Sequence, residues 1–67
     1  MKVLNETGRE VKVGDWITIP DRKGRKHRYE ITAFDTLMVH VIDHHNDMKL
    51  YTSLPYYKLE LRTPYVE

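Results

Sequence analysis

Apolar and polar positions alternate along most of this chain with a period of two, and glycine, proline or aspartate breaks the alternation every few residues. Val3-Leu4 is a short apolar start. Asn5-Glu6-Thr7-Gly8 reads as a turn, with Gly8 free to take a positive φ. Glu10-Val11-Lys12-Val13 predicts a short half-buried strand or extended arm, and Gly14-Asp15 is a second turn signal. Trp16-Ile17-Thr18-Ile19 is aromatic and β-branched, a strand. Pro20 has no N–H to donate and is expected to stop the ladder. Tyr29 to Phe34 alternates again, with Tyr29, Ile31 and Ala33 toward the core and Glu30 and Thr32 outward. Leu37 to Ile42 is apolar on both faces, as a central strand would be. Asp43-His44-His45-Asn46-Asp47 reads as a polar hairpin tip, and Met48-Lys49-Leu50-Tyr51 returns from it as a strand with Met48 and Leu50 on one side. Thr52-Ser53-Leu54-Pro55-Tyr56 predicts a single helical turn near residues 53–56, with small hydroxyls to cap it and proline early. Tyr57-Lys58-Leu59-Glu60-Leu61 is the last alternation, with Tyr57, Leu59 and Leu61 inward, and Thr63-Pro64-Tyr65-Val66-Glu67 is a tail.

These elements predict one all-β domain over residues 1–67: a small antiparallel barrel of five or six short strands. Strand, long loop, strand, tight hairpin, strand, one helical turn, strand resembles the SH3-like barrel plan. That resemblance implies a short helical segment before the last strand, the place that Ser53 to Tyr56 occupies. The chain lacks the Ala-Leu-Tyr-like opening and the paired tryptophans of signalling SH3 domains, and an OB-like barrel is the alternative. Gly8 to Val11, Val13-Gly14-Asp15, the Gly24 loop, Val39 and Val41, and the closing Tyr51-Thr52-Ser53 with Leu59 are also similar to small proteins encoded by phages and prophages. This second resemblance implies an accessory viral protein that acts by binding a host enzyme, a defence system or nucleic acid. It transfers no site residue.

Composition narrows the setting. A chain of 67 residues buries only roughly 60% of the surface that it exposes when unfolded, so its core is small. It has no cysteine, which removes disulfides and thiolate zinc sites and fits a reducing cytoplasm. The opening Met1-Lys2-Val3-Leu4-Asn5-Glu6 has no apolar core of the kind a secretory leader needs, and no apolar run approaches a membrane span. The net charge of +1 is unevenly spread: residues 21–28 hold five Lys or Arg against one acid, and the remainder is net negative.

That basic stretch, Pro20-Asp21-Arg22-Lys23-Gly24-Arg25-Lys26-His27-Arg28, reads as a projecting hairpin loop. Arg22, Lys23, Arg25, Lys26, His27 and Arg28 are candidate phosphate contacts, with salt-dependent affinity from counterion release. An acidic protein surface is the second candidate occupant, and a solvated tip that discourages aggregation is the plain alternative. Trp16, Tyr51, Tyr56 and Tyr57 form a candidate aromatic surface, able to stack bases or line a peptide groove, against the plain alternative of core and rim. His40, His44 and His45 with Asp43 and Asp47 invite a metal reading, but on one extended strand His40 and His44 would stand about 13 Å apart, so no metal or other cofactor is assigned. Ser53 has no partner nearby in sequence, and there is no phosphate-cradling glycine loop or zinc-protease motif.

The reading is therefore a non-enzymatic binding protein of the cytoplasm, one that inhibits or modulates a host protein by direct contact. Nucleic-acid or nucleotide-phosphate binding through residues 22–28 is the alternative. Pairing of exposed edges into a homodimer or higher oligomer is compatible with both.

Overall fold

The computed structural model describes residues 2–44 and 48–62. Four strands form one antiparallel meander in sequential order: β1 (Trp16–Pro20), β2 (Lys26–Phe34), β3 (Met38–Asp43) and β4 (Leu50–Pro55). A 3-10 turn over Tyr56–Leu59 follows directly. The sheet stays open, with β1 and β4 as its edges. This corrects the expectation of a closed barrel of five or six strands. The final alternation, which would have supplied the closing strand, is the 3-10 turn instead.

Pro55 explains the change of element. It is the last residue of β4, opposite Met38, and its φ of −67° leads into the turn. The hydroxyls of Thr52 and Ser53 therefore lie in a strand and cap nothing, and the helical turn sits three residues later than 53–56. In a 3-10 turn, residues three apart share a face. Tyr56 and Leu59 are accordingly buried, while Tyr57, expected inward, is 77% exposed.

Two other departures have local causes. Pro20 closes β1 rather than breaking it, and is tolerated because β1 is an edge. In β2 the register slips between Ile31 and Ala33: Ile31 faces Val41, Ala33 faces His40 and Phe34 faces Val39. One extra residue reverses the alternation. Phe34 turns to the core, and Ala33, expected there, is exposed. The apolar run at Leu37 does give an interior strand, with Val39 and Val41 buried, but Leu37 itself is 75% exposed.

The inner face of the sheet is covered by residues 3–13 and 56–61. Glu10–Val13 is an arm, of which Val11 is buried and Val13 exposed. It folds back on Val3 and Leu4 through a Leu4–Glu10 bridge, and Asn5 bridges Leu61. Val3, Val11, Ile31, Val39, Val41, Tyr56, Leu59 and Leu61 form the core. The two turns that aim the arm and the β1–β2 hairpin share one design. Asn5 Oδ1 accepts from the N–H groups of Thr7 and Arg9, and Asp21 Oδ1 from those of Lys23 and Arg25. A glycine with φ near +80° stands third after each: Gly8 at +85° and Gly24 at +81°.

Ile31 is fully buried among its neighbours. Removing one methylene in Ile31→Val is expected to cost about 1 kcal/mol. Val13→Ala, on an exposed side chain, should stay within about 0.5 kcal/mol. Urea midpoints measure both, and equal losses at the two positions would contradict this core.

Candidate functional site

The meander gives the sheet a second, uncovered face. Residues directly opposite one another run across it in a row: Trp16 to Glu30, Glu30 to Ile42, Ile42 to Tyr51. Trp16 and Tyr51 thus end the same row on opposite edges, three strand spacings or about 14 Å apart. Both are exposed, Trp16 by 48% and Tyr51 by 75%. Lys26, Arg28 and Glu30 alternate onto this face of β2.

Trp16 is the centre of a small polar–aromatic cluster. The Arg28 guanidinium lies 4.8 Å from the centroid of its ring, a cation–π contact. The His44 ring tilts against it at 4.6 Å. Trp16, Arg28, His44, Met48 and Lys49 line a cavity of about 320 Å3. Glu30 borders it, with Oε1 3.1 Å from His44 Nε2. Among the described residues, the cavity therefore presents an indole wall with Arg28 and Lys49 as cations and one carboxylate at its margin.

The basic stretch is divided by the fold. Only residues 21–25 form the tip that was expected to span 20–28. Lys26, His27 and Arg28 belong to β2, because the ladder continues through Ile19–His27 and Pro20–Lys26. Arg22, Lys23 and Arg25 remain exposed on the tip, while Lys26 and Arg28 share the outer face with Trp16.

His27 points to the other side of the sheet from Lys26 and Arg28. Its Nε2 lies 3.0 Å from Asp21 Oδ2 and its Nδ1 3.1 Å from Asp43 Oδ2. A neutral imidazole donates from only one nitrogen, so carboxylates at both favour the doubly protonated cation. The hydrogen bond with Asp21, then that with Asp43, raises the His27 pKa above its ordinary 6.5, against the opposing effect of partial burial. The same contact, helped by the turn N–H groups of Arg25 and Lys23, lowers the Asp21 carboxyl below 3.8. This clamp ties the basic tip to the end of β3. Tyr29, stacked beside His27 at 6.1 Å, has its phenol raised by burial and by the neighbouring Asp43 and Asp21.

The proposed aromatic surface separates. Tyr56 leaves it altogether: it is 4% exposed, in the core, and its hydroxyl donates to the Asp35 carbonyl. Burial, then the nearby Asp35, raises its pKa. Tyr57 sits on the 3-10 turn, off the sheet face that holds Trp16 and Tyr51. His40 and His44 are also drawn apart. His40 Nδ1 meets Ser53 Oγ at 2.6 Å across the β3–β4 ladder, with Asp35 Oδ2 3.8 Å from Nε2, beyond hydrogen-bond range. Among the described residues no three or more His, Asp or Glu side chains are grouped so that they could hold a metal ion, and His45 and Asp47 lie outside those residues. No helix among the described residues is long and apolar enough to cross a membrane.

Sequence reading missed His44, Met48 and Lys49 at the Trp16 cavity and Asp43 in the clamp. His44 carried a signal: two residues after Ile42, it falls on the same side of an extended chain. No protein-family profile, curated protein or solved structure matches this chain, so the SH3-like and phage-protein resemblances rest on layout alone.

The clamp predicts a pH dependence with a definite sign. His27, raised in the fold, contributes fully below pH 6.5 and loses that contribution as pH rises through its elevated value. Asp21, lowered in the fold, contributes above 3.8 and loses that as pH falls through its depressed value. The stability difference between the native chain and His27→Gln, read from urea midpoints, should therefore be largest between about pH 4 and 6.5 and shrink toward about pH 9. A difference that does not change over that range would refute a charged clamp.

Proposed function

We propose that this protein is a non-enzymatic binding module that takes single-stranded nucleic acid across the outer face of its sheet. The observation that carries the reading is the Arg28 guanidinium over the Trp16 ring, at a cavity that Lys49 and His44 also line. A strand-tracking site needs an aromatic platform for the base and cations for the phosphate beside it, and stacking of this kind tolerates any base. Tyr51 at the far end of the same row offers a second platform. At about 14 Å the two rings are too far apart for one base to touch both, so successive nucleotides would be engaged. Lys26 and the tip residues Arg22, Lys23 and Arg25 extend positive charge away from the cavity and suit backbone contact without sequence reading.

An acidic protein surface is the competing occupant, and the test separates the two. Trp16 is the sole tryptophan, so its emission reports the cavity directly. Titration with a short deoxythymidine strand at low salt is expected to quench it. Arg28→Ala should reduce the slope of log affinity against log salt by about 0.7. Tyr51→Ala should cost about 1–3 kcal/mol of binding free energy. Absence of quenching at low salt overturns the reading. An acidic peptide that binds as tightly as the oligonucleotide, with the same dependence on Arg28, transfers the site to a protein partner.

A further inference from the structure

Ser53 is the chain's only serine, and it has no partner nearby in sequence. The fold supplies one. Ser53 on β4 stands opposite His40 on β3, and His40 Nδ1 lies 2.6 Å from Ser53 Oγ. His40 is two residues from Ile42, so the pair shares the outer face of the sheet. Asp35, just before β3, has Oδ1 taken by the Thr36 N–H, while its Oδ2 lies 3.8 Å from His40 Nε2. At that distance the carboxylate makes no hydrogen bond, but its charge favours a proton on Nε2. Nδ1 is then the acceptor for the Ser53 hydroxyl. The side chains of His40 and Asp35 are 44% and 61% exposed, so a reagent in solution can reach them.

The backbone at Ser53 is free of the ladder. The His44 N–H donates to the Arg28 carbonyl, and the Thr32 hydroxyl to the His40 carbonyl. The even positions of β3 therefore turn their backbone groups toward β2, and the odd positions turn theirs toward β4. Val39 and Val41 thus pair with Leu54 and Thr52, which flank Ser53. The N–H of Ser53 points along the free edge of the sheet, which has no partner strand among the described residues. It is available to the oxyanion that forms when Oγ adds to a carbonyl. Thr32, Val41, Tyr51 and Thr52 complete a cavity of about 240 Å3 around the pair, with no lysine or arginine among its described lining residues. Such a cavity suits a small uncharged acyl group over a phosphoryl group, whose oxygens call for cations.

We propose that Ser53 is a nucleophilic modification site that takes a short acyl group from an activated ester, with His40 as the general base. Oγ adds to the ester carbonyl while the hydroxyl proton passes to Nδ1. The bond from the carbonyl carbon to the leaving oxygen then breaks, and the proton departs with that oxygen as an alcohol or phenol. Ser53 is left as an ester and His40 is neutral again. One such step modifies the protein once and needs no turnover, so it goes beyond the binding reading without opposing it. It stands whether or not the outer face takes nucleic acid.

The native chain is incubated with p-nitrophenyl acetate at neutral pH, and the acetyl group is located by peptide mapping. Ser53 is expected to be acetylated faster in the folded chain than in the same chain unfolded in urea. His40→Gln can still accept the hydroxyl's hydrogen bond but cannot take its proton, and should slow the reaction about 100-fold. Heavy water should slow the native chain more than His40→Gln, a difference that a purely structural role for His40 would not produce. The proposal is overturned if Ser53 carries no acetyl group, if it reacts equally fast in urea, or if His40→Gln reacts at the native rate. Modification of Ser53 by p-nitrophenyl phosphate as readily as by the acetate overturns the choice of an acyl group.

Discussion

Ile31 is the residue on which the sheet turns. Its side chain is fully buried and Val41 faces it from β3. On the other side its N–H donates to Asp15 and its carbonyl accepts from Gly14. Immediately after it the register slips, so the strand shows one pattern of faces before Ile31 and the opposite pattern beyond. The slip keeps Phe34 in the core while the earlier half of β2 sends Arg28 and Glu30 out toward Trp16. With so few buried side chains, only one face of the sheet can be kept dry. The other must face water or a partner, and the Trp16 cavity lies on it.

At its polar end the inner face is closed by charge. Asp21 organises the tip through Oδ1 and reaches His27 through Oδ2, and His27 passes the connection on to Asp43. The tip is therefore less free than its glycine and run of cations imply. Its two arginines and its lysine extend from a turn anchored to the sheet, which lowers the conformational cost of presenting them to an anion. The half-buried His27 ring serves the hairpin's geometry, while its basic neighbours remain at the surface.

Much of this was legible in the chain. Alternation located β1, most of β2 and the interior position of β3, because period two is imposed by the strand itself. What failed was decided over longer distances. Tyr57 to Leu61 alternates as well as any strand, yet Pro55 directs it into a 3-10 turn, where spacing of three puts Tyr56 inside. Ala33 was misplaced because a bulge leaves no mark in composition. The basic stretch was recognised as a unit, but its division between tip and strand depends on how far pairing with β1 continues. His44, Met48 and Lys49 join Trp16 only through the meander, which no local pattern encodes.

The docking of the arm and the preceding residues 3–5 beside Leu61 bears on the order in which the molecule can assemble. Every connection in the meander closes over a few residues, whereas the Asn5–Leu61 bridge spans nearly the whole sequence. Closing that span from an open chain costs roughly 2 kcal/mol more in entropy than closing a tight hairpin. Once the meander has formed, most of the span is already folded and the remaining cost is small. The arm is thus the natural last piece to dock and the first to let go. Because Val3 and Val11 complete the core from that side, its departure would expose the buried side chains that they cover.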